Sequence, residues 1–198
     1  KDVPLYYRGL RFDLRTFLPN QITRLLDVGC GAGAFGHLMK SDFGCEVWGI
    51  EIVEDMASLA KERLDRVETG DCMKILPTLP GSHFDVVVFS DVLEHLVNPV
   101  AALSEVKRVL TPDGVLVASV PNIRYWPAFK RLLLHGDFPW EDQGIFDATH
   151  LRFFTEKSFR RMFESNGWQV AQLGGVNAYV SFGMRVANVL AMRKLRDM

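Results

Sequence analysis

The sequence has few cysteines, no long hydrophobic run and no excess of charge of either sign. Three cysteines in 198 residues, odd in number and dispersed, exclude a disulfide framework and predict a protein of the reducing cytoplasm. The apolar runs fall far short of the ~18 residues that a membrane span needs, so no stable membrane insertion is expected. Lysine and arginine total 23 against 24 aspartates and glutamates, for a net charge of −1. This balance excludes a global basic field for nucleic acid and favours a small partner.

Short apolar runs alternate with segments of helical spacing over residues 24–120. The runs are nearly continuous, which is typical of strands buried on both faces of a parallel sheet. They cover Arg24–Val28, Glu46–Ile50, Phe84–Phe89 and Gly114–Val120, and helical spacing covers Val53–Leu64 and Pro99–Leu110. This alternation predicts an α/β fold with a doubly wound, mostly parallel sheet.

The whole chain is expected to form a single domain with four parts. Residues 1–23 are predicted to form an N-terminal helical cap, and residues 24–120 a core that binds a cofactor. Residues 121–154 are rich in proline, glycine and aromatic side chains, which predicts a helical and aromatic lid or substrate loop after strand 5. Residues 155–198 are predicted to form a helix, a strand and a helical tail.

The end of the chain offers no convincing last strand. A helix capped by Thr155 leads into a sixth strand, Trp168–Leu173. Asn177–Phe182 is short for a further strand, and Met184–Met198 has helical spacing. A seventh strand is therefore expected to be missing or poorly supplied. Because the first residue, Lys1, is also not a methionine, the sequence predicts a chain trimmed at one or both ends.

A glycine loop follows the first strand. Gly29, Gly31 and Gly33 allow the backbone to turn tightly and to approach a ligand where any Cβ would collide. Glu51, at the end of the second strand, can accept hydrogen bonds from both hydroxyls of a ribose. The pattern fits a dinucleotide or S-adenosylmethionine, since both contain adenosine. Asp27 would repel a pyrophosphate but complements the ammonium of a methionine, which favours S-adenosylmethionine.

Five segments follow one another between Leu25 and Val120. They are Asp27–Gly33, Glu51, Gly70–Cys72, Phe84–His95 and Leu110–Gly114. In order and spacing they resemble the successive motifs of class I S-adenosylmethionine-dependent methyltransferases. The resemblance implies a Rossmann-like, seven-stranded, mostly parallel sheet. It also implies S-adenosylmethionine over the carboxyl ends of the strands and S-adenosylhomocysteine as the product.

The same resemblance implies which residues bind the cofactor. Glu51 takes the ribose, Asp71 receives the amino group of adenine, and the loop that begins at Ser90 lies beneath the methionine moiety. The implied set is Tyr7, Asp27, Gly29, Cys30, Gly31, Gly33, Glu51, Ile52, Asp71, Cys72 and Ser90.

Two flanking segments resemble a narrower group. Tyr6-Tyr7-Arg8 and Asp147–Thr155 look like segments of methyltransferases from bacterial glycan and secondary-metabolite pathways. The expected function is methyl transfer to a small-molecule or sugar-containing acceptor, at oxygen. Two alternatives stay open: a non-catalytic S-adenosylmethionine-binding subunit that regulates a partner, and a NAD-dependent oxidoreductase. The sequence identifies neither the acceptor nor the oligomeric state.

Methyl transfer to a hydroxyl needs an aligned donor and a base. The candidate bases are His150, His95 and Asp91. His95 follows the fourth strand, beside the expected donor, and the alternative for it is a capped structural histidine. The alternative for His150 is a side chain that locks the aromatic segment through hydrogen bonds.

A metal site is another use of these residues. Asp91, Glu94 and His95 have i, i+3 and i+4 spacing, which predicts one helical face. With His150 they would offer oxygen and nitrogen ligands for Mg²⁺, Mn²⁺ or Zn²⁺. The set resembles the acidic and histidine arrangement of some ubiquinone-pathway and small-RNA methyltransferases. Because many relatives carry Leu-Glu-His without a metal, the sequence favours a site without one.

Overall fold

A seven-stranded sheet forms the centre of the protein. The computed structural model describes residues 11–176 and 187–194. The strands are β1 (Arg24–Val28), β2 (Glu46–Glu51), β3 (Arg66–Thr69), β4 (Phe84–Ser90), β5 (Leu110–Pro121), β6 (Trp168–Val176) and β7 (Ala187–Lys194). Their order is β3-β2-β1-β4-β5-β7-β6; β1 to β5 run parallel, and β7 is antiparallel to both neighbours. The predicted doubly wound, mostly parallel α/β sheet is confirmed.

Helices cover both faces of the parallel strands. They are α1 (Ala34–Phe43), α2 (Glu54–Lys61), α3 (Cys72–Ile75), α4 (Pro99–Val109), α5 (Trp126–His135) and α6 (Glu156–Glu164). Successive side chains of a strand point to opposite faces, so β4 supplies two cores. Val86 and Val88 belong to the buried cluster with α1 and α2, and Val87 and Phe89 to the cluster with α4 and α6. Burial on both faces explains why the strand sequences are continuously apolar.

Side-chain caps begin α4 and α6, and the one at Thr155 confirms the cap expected there. The Ala101 amide donates to Asn98 Oδ1 at 3.1 Å, ahead of Pro99 in the first turn of α4. At α6, Thr155 Oγ1 accepts from the Ser158 amide at 3.2 Å, and the Thr155 amide donates to Ser158 Oγ at 2.9 Å. Serine thus completes a reciprocal capping box in the place usually held by glutamate or glutamine.

The prediction of a helical tail without a seventh strand is wrong. Residues Ala187–Lys194 form β7, which lies between β5 and β6 and buries Met192 opposite Leu116 and Val170. Without β7, the backbone groups of β5 on the edge away from β4 would have no hydrogen-bond partners in the sheet, and this demand outweighs local helical spacing. Asn177–Phe182 lies outside the described residues.

Residues before β1 and after β5 cover the ends of the sheet. A 3-10 helix, Phe12–Phe17, buries Leu14 and Phe17, while Tyr7 and the rest of residues 1–10 lie outside the described residues. Helix α5 confirms the helix expected after β5, and it buries only Ala128. In the described ranges, none of the helices has the length and apolar character that crossing a membrane would require.

Candidate functional site

The predicted cofactor residues meet at the carboxyl ends of the parallel strands. The chain passes from β1 outward to β2 and β3, and then returns to place β4 on the other side of β1. Such a reversal leaves a crevice above β1 and β4, which is where open α/β sheets bind ligands. Asp27 in β1, Glu51 at the end of β2 and Ser90 at the end of β4 all border this crevice.

The glycine loop has the conformation that the sequence predicts. Gly29, Gly31 and Gly33 have φ values of 75°, 55° and 78°, in the left-handed region that favours glycine. A Cβ at Gly29 would lie 2.4 Å from Val92 Cγ2, so this position also has no room for a side chain. The loop then enters α1 at Gly33.

Glu51 holds this loop in place. Its carboxylate is buried and accepts the Gly31 amide at Oε2, 2.8 Å away, and the Val53 amide at Oε1, 2.9 Å away. Each carboxylate oxygen has a second lone pair, so both can still accept a ribose hydroxyl. Glu51 therefore shapes the glycine loop as well as offering the predicted ribose contact.

Asp27 is a buried acid that forms no ion pair with any of the described residues. It is 2% exposed, and burial, together with the nearby Glu51 carboxylate, raises the pKa of Asp27 to about 7. The positive charge of Arg11 opposes this shift. Because its pKa is near 7, Asp27 can ionise to pair with the ammonium group of a bound ligand.

The predicted adenine contacts lie beside Glu51. Asp71 caps α3 by accepting the Met73 amide at 2.9 Å, and the adjacent Gly70 amide donates to the Glu51 carbonyl at 2.8 Å. The Ile52 side chain is 69% exposed, an apolar surface available to a planar base. Cys30 and Cys72 are buried free thiols, so they can contribute through their backbone.

Arg11 is a site residue that sequence reasoning missed. Its guanidinium donates to Ser90 Oγ at 2.7 Å and to Ser119 Oγ at 3.2 Å, and it forms an ion pair with Asp91. Arg11 and Asp91 both have positive φ, 37° and 55°, and strained backbone of this kind clusters at functional sites. Arg11 could not be predicted as a site residue because it is a single arginine ahead of β1 with no motif around it.

The Arg11 network also occupies Asp91, one of the three candidate bases. Besides the ion pair, Asp91 Oδ1 accepts the Ser119 hydroxyl at 2.8 Å. Both carboxylate oxygens of Asp91 thus already accept hydrogen bonds from protein side chains, one from Arg11 and one from Ser119. The geometry therefore favours the two histidines.

Glu94, His95 and His150 form a compact cluster next to this network. One nitrogen or oxygen from each lies within 4.8 Å of the others, and the His95 and His150 ring centroids are 4.7 Å apart. Glu94 Oε1 is 4.0 Å from His150 Nε2, and neither Glu94 oxygen has a hydrogen-bond partner among the described residues. Burial raises the pKa of Glu94 well above its ordinary value, and the negative charge of Asp91 adds to this shift. Burial lowers the pKa of His150.

The expected single helical face of Asp91, Glu94 and His95 does not form. Only Leu93–His95 is helical, as one 3-10 turn, and Asp91 precedes it in the left-handed conformation. Asp91 lies outside the cluster. His150, the fourth residue of the predicted metal set, does lie in it, because the Glu94 carbonyl accepts the amides of Leu151 and Arg152 at 2.9 and 3.1 Å. Backbone pairing thus draws the end of the aromatic segment onto the turn after β4.

Aromatic side chains surround the outer side of this cluster. Phe138 makes edge-on contacts with Trp140, Phe146 and Phe153, at centroid distances of 5.6, 5.0 and 5.2 Å. Trp140 is 67% exposed and Phe146 is buried, so this aromatic group extends from the interior of the protein to its surface. Such rings can stack on a planar or sugar acceptor.

A crevice at the strand reversal, beside the glycine loop after β1, is the arrangement of the class I methyltransferase fold. The chain belongs to the methyltransferase domain family, whose profile matches residues 6–173. S-adenosylmethionine is therefore the cofactor that the family and the fold imply, with S-adenosylhomocysteine as the product.

The chain is similar in sequence to named methyltransferases. The chain is 28% identical over 169 residues to a ubiquinone biosynthesis O-methyltransferase of Nitrobacter winogradskyi, covering 82% of this chain and 62% of that protein. It is 34% identical over 116 residues to the Cereibacter sphaeroides protein of the same name, covering 56% and 46%. The chain thus spans less than two thirds of either relative. Membership of the glycan and secondary-metabolite group stays a prediction.

Solved structures share the fold. A methyltransferase from Archaeoglobus fulgidus superposes with a TM-score of 0.71 at 19% identity, over 96% of this chain and 93% of that one. One from Aquifex aeolicus gives a TM-score of 0.67 at 22% identity, over the same shares of the two chains. At these identities the likeness shows the fold alone.

Removing the Glu51 carboxylate should weaken cofactor binding. Glu51→Ala deletes the acceptor for the ribose and the two bonds that hold the glycine loop. We expect S-adenosylhomocysteine to bind roughly 30-fold more weakly, or about 2 kcal/mol, by titration calorimetry. Glu54→Ala, an exposed carboxylate in the next helix, is the matched control and should bind normally. Equal affinity in Glu51→Ala and the control would remove Glu51 from the site.

Proposed function

We propose that this chain transfers the methyl group of S-adenosylmethionine to a hydroxyl oxygen of a small molecule. The observation that carries the proposal is the order of charges along the crevice: Glu51 at the end of β2, Asp27 in β1, and Arg11 against Ser90 at the end of β4. The cofactor carries a ribose diol, an ammonium and a carboxylate, and these three residues complement the three groups in turn. A pyrophosphate would instead meet two buried carboxylates, which argues against a dinucleotide.

The transfer itself is an in-line displacement at the methyl carbon. The acceptor oxygen forms a bond to carbon as the carbon–sulfur bond breaks, the electron pair stays on sulfur, and the acceptor proton passes to a base. We assign the base to His95, which is half-buried at the end of the 3-10 turn after β4. His150 is buried, with Nδ1 3.3 Å from the Ile145 carbonyl, which suits a residue that orders the aromatic segment.

The acceptor class follows from the aromatic group outside the histidines. Exposed Trp140 and half-exposed Phe138 and Phe153 offer faces for a planar ring and exclude water from the transfer. The relatives named for O-methylation in ubiquinone biosynthesis support a small molecule methylated at oxygen. We therefore favour a phenolic acceptor, with a sugar-containing acceptor as the second class that these rings can stack on.

The decisive experiment combines binding and turnover. S-adenosylhomocysteine should bind in the micromolar range and NAD should not. A panel of phenols, catechols and sugar-containing hydroxyl compounds is then offered with methyl-labelled S-adenosylmethionine. We expect label on a phenolic oxygen. Binding of S-adenosylhomocysteine without transfer to any compound would favour a non-catalytic subunit, and binding of NAD alone would overturn the proposal.

Cofactor affinity should rise with pH through the titration of Asp27. The raised pKa of Asp27, about 7, means that its carboxyl is protonated in the free protein at lower pH. A bound ammonium favours the ionised form, so binding releases a proton and tightens as the pH rises, levelling off above that pKa. We expect S-adenosylhomocysteine to bind about tenfold more tightly at pH 8 than at pH 6.

Asp27→Asn provides the control for this pH dependence. The amide has nearly the shape of the acid but no proton to release, so the variant should bind more weakly at pH 8 with an almost flat pH profile. An undiminished pH dependence in Asp27→Asn would show that another group titrates.

A divalent cation is a second candidate for the Glu94, His95 and His150 cluster. Glu94 is a buried carboxylate whose two oxygens have no hydrogen-bond partner in the described part of the chain. Beside two imidazoles, it fits the oxygen and nitrogen donors that such ions take. These three residues would hold the ion, and a bound ion would supply positive charge that lowers the pKa of an acceptor hydroxyl.

Chelation separates the two uses of the cluster. If a metal is required, dialysis against a chelator should lower the methyl-transfer rate by about tenfold or more, and Mg²⁺, Mn²⁺ or Zn²⁺ should restore it. Glu94→Gln should then show the low rate with or without added ion. A rate indifferent to the chelator would end the metal hypothesis and leave His95 as the base.

A further inference from the structure

A chain of hydrogen bonds leads from a buried carboxylate to His95. Asp147 Oδ1 accepts the Thr149 hydroxyl at 2.6 Å and the Thr149 amide at 2.8 Å. On the other side, His95 Nδ1 lies 3.1 Å from Thr149 Oγ1 and 3.3 Å from the Thr149 carbonyl oxygen. Asp147 is buried, whereas His95 is half-buried at the edge of the crevice.

The direction of each bond is fixed by the number of protons available. The Thr149 amide can only donate, so Asp147 Oδ1, which takes both this amide and the Thr149 hydroxyl, is an acceptor. The Thr149 hydroxyl has one proton, and it donates that proton to Asp147. Toward His95 the same oxygen can only accept, and so can the carbonyl oxygen. The proton between them must therefore belong to His95 Nδ1.

We propose that Thr149, oriented by Asp147, is a positioning residue that holds His95 in the tautomer protonated at Nδ1, with the lone pair on Nε2. Free neutral imidazole side chains prefer the opposite tautomer, with the proton on Nε2, so the protein has to impose this one. The proposal rests on the assignment of His95 as the base, and it names the nitrogen that takes the acceptor proton.

The position of Thr149 links the tautomer to the aromatic segment. The His150 amide donates to the Asp147 carbonyl at 3.0 Å, which closes a tight turn around Thr149. The Glu94 carbonyl holds the next two amides, those of Leu151 and Arg152. His95 is thereby oriented by the segment that also carries the aromatic face for the acceptor.

Nitrogen NMR reads the tautomer directly and without an acceptor. Long-range proton–nitrogen correlation on histidine-labelled protein at about pH 8, above the ordinary histidine pKa, shows which ring nitrogen carries the proton. His95→Gln assigns the His95 signals among the five histidines. In the wild type we expect a proton on Nδ1. In Thr149→Val the Nε2-protonated form should become populated, and in Thr149→Ser, which keeps the hydroxyl, it should not.

Turnover gives the second readout. Thr149→Val should lower kcat about tenfold while KM for S-adenosylmethionine stays within twofold, and Thr149→Ser should recover most of kcat. A wild-type His95 protonated at Nε2, or a Thr149→Val spectrum identical to the wild type, would overturn the proposal. The wild-type spectrum decides even if Thr149→Val fails to fold. Absence of methyl transfer with every acceptor would count against the proposed function alone, because the spectra do not depend on turnover.

Discussion

Two acidic side chains buried at the carboxyl ends of neighbouring strands impose the constraint on which the site depends. Burial of a carboxylate is costly unless hydrogen bonds or opposite charge compensate it. Glu51 is compensated by the backbone amides of Gly31 and Val53, and this fixes the glycine loop. Asp27 has no such donors within residues 11–176 and 187–194, and burial together with the Glu51 charge raises its pKa, so a positive charge beside it would be favourable. Arg11 partly provides that charge, and a cofactor ammonium would provide it more closely.

The transfer end of the site depends on a different interaction, the backbone pairing of Glu94 with the segment before α6. That pairing brings His150 against Glu94 and Thr149 against His95, although these residues are far apart in sequence. The same segment carries the aromatic group around Phe138. The aromatic face proposed for the acceptor, the orientation of His95, the proposed base, and the burial of Glu94 therefore all depend on one loop held by a few backbone hydrogen bonds.

Local patterns in the sequence were sufficient for most of the fold. Continuous apolar runs predicted β1, β2, β4 and β5 because strands buried on both faces can carry few polar residues. The edge strand β3, Arg66–Thr69, is partly exposed and polar, so no apolar run marked it. The caps at Asn98 and Thr155 were predictable because one side chain satisfies amides within the same turn. The last strand, β7, was not predictable, since the apolar spacing of residues 184–198 is helical. Only the edge of β5 that would otherwise be unpaired requires a strand there.

Spacing along the chain was sufficient to predict the glycine loop and the acids Asp27 and Glu51 on two neighbouring strands, because each lies in or directly after an apolar run. Contacts between distant segments could not be predicted in this way. Arg11 reaches Ser90 and Asp91 across the ends of two strands, and pairing between distant loops places His150, but not Asp91, beside Glu94 and His95. Such contacts leave no periodic or motif signal, because they depend on where the sheet brings separate segments together rather than on the residues that flank each side chain.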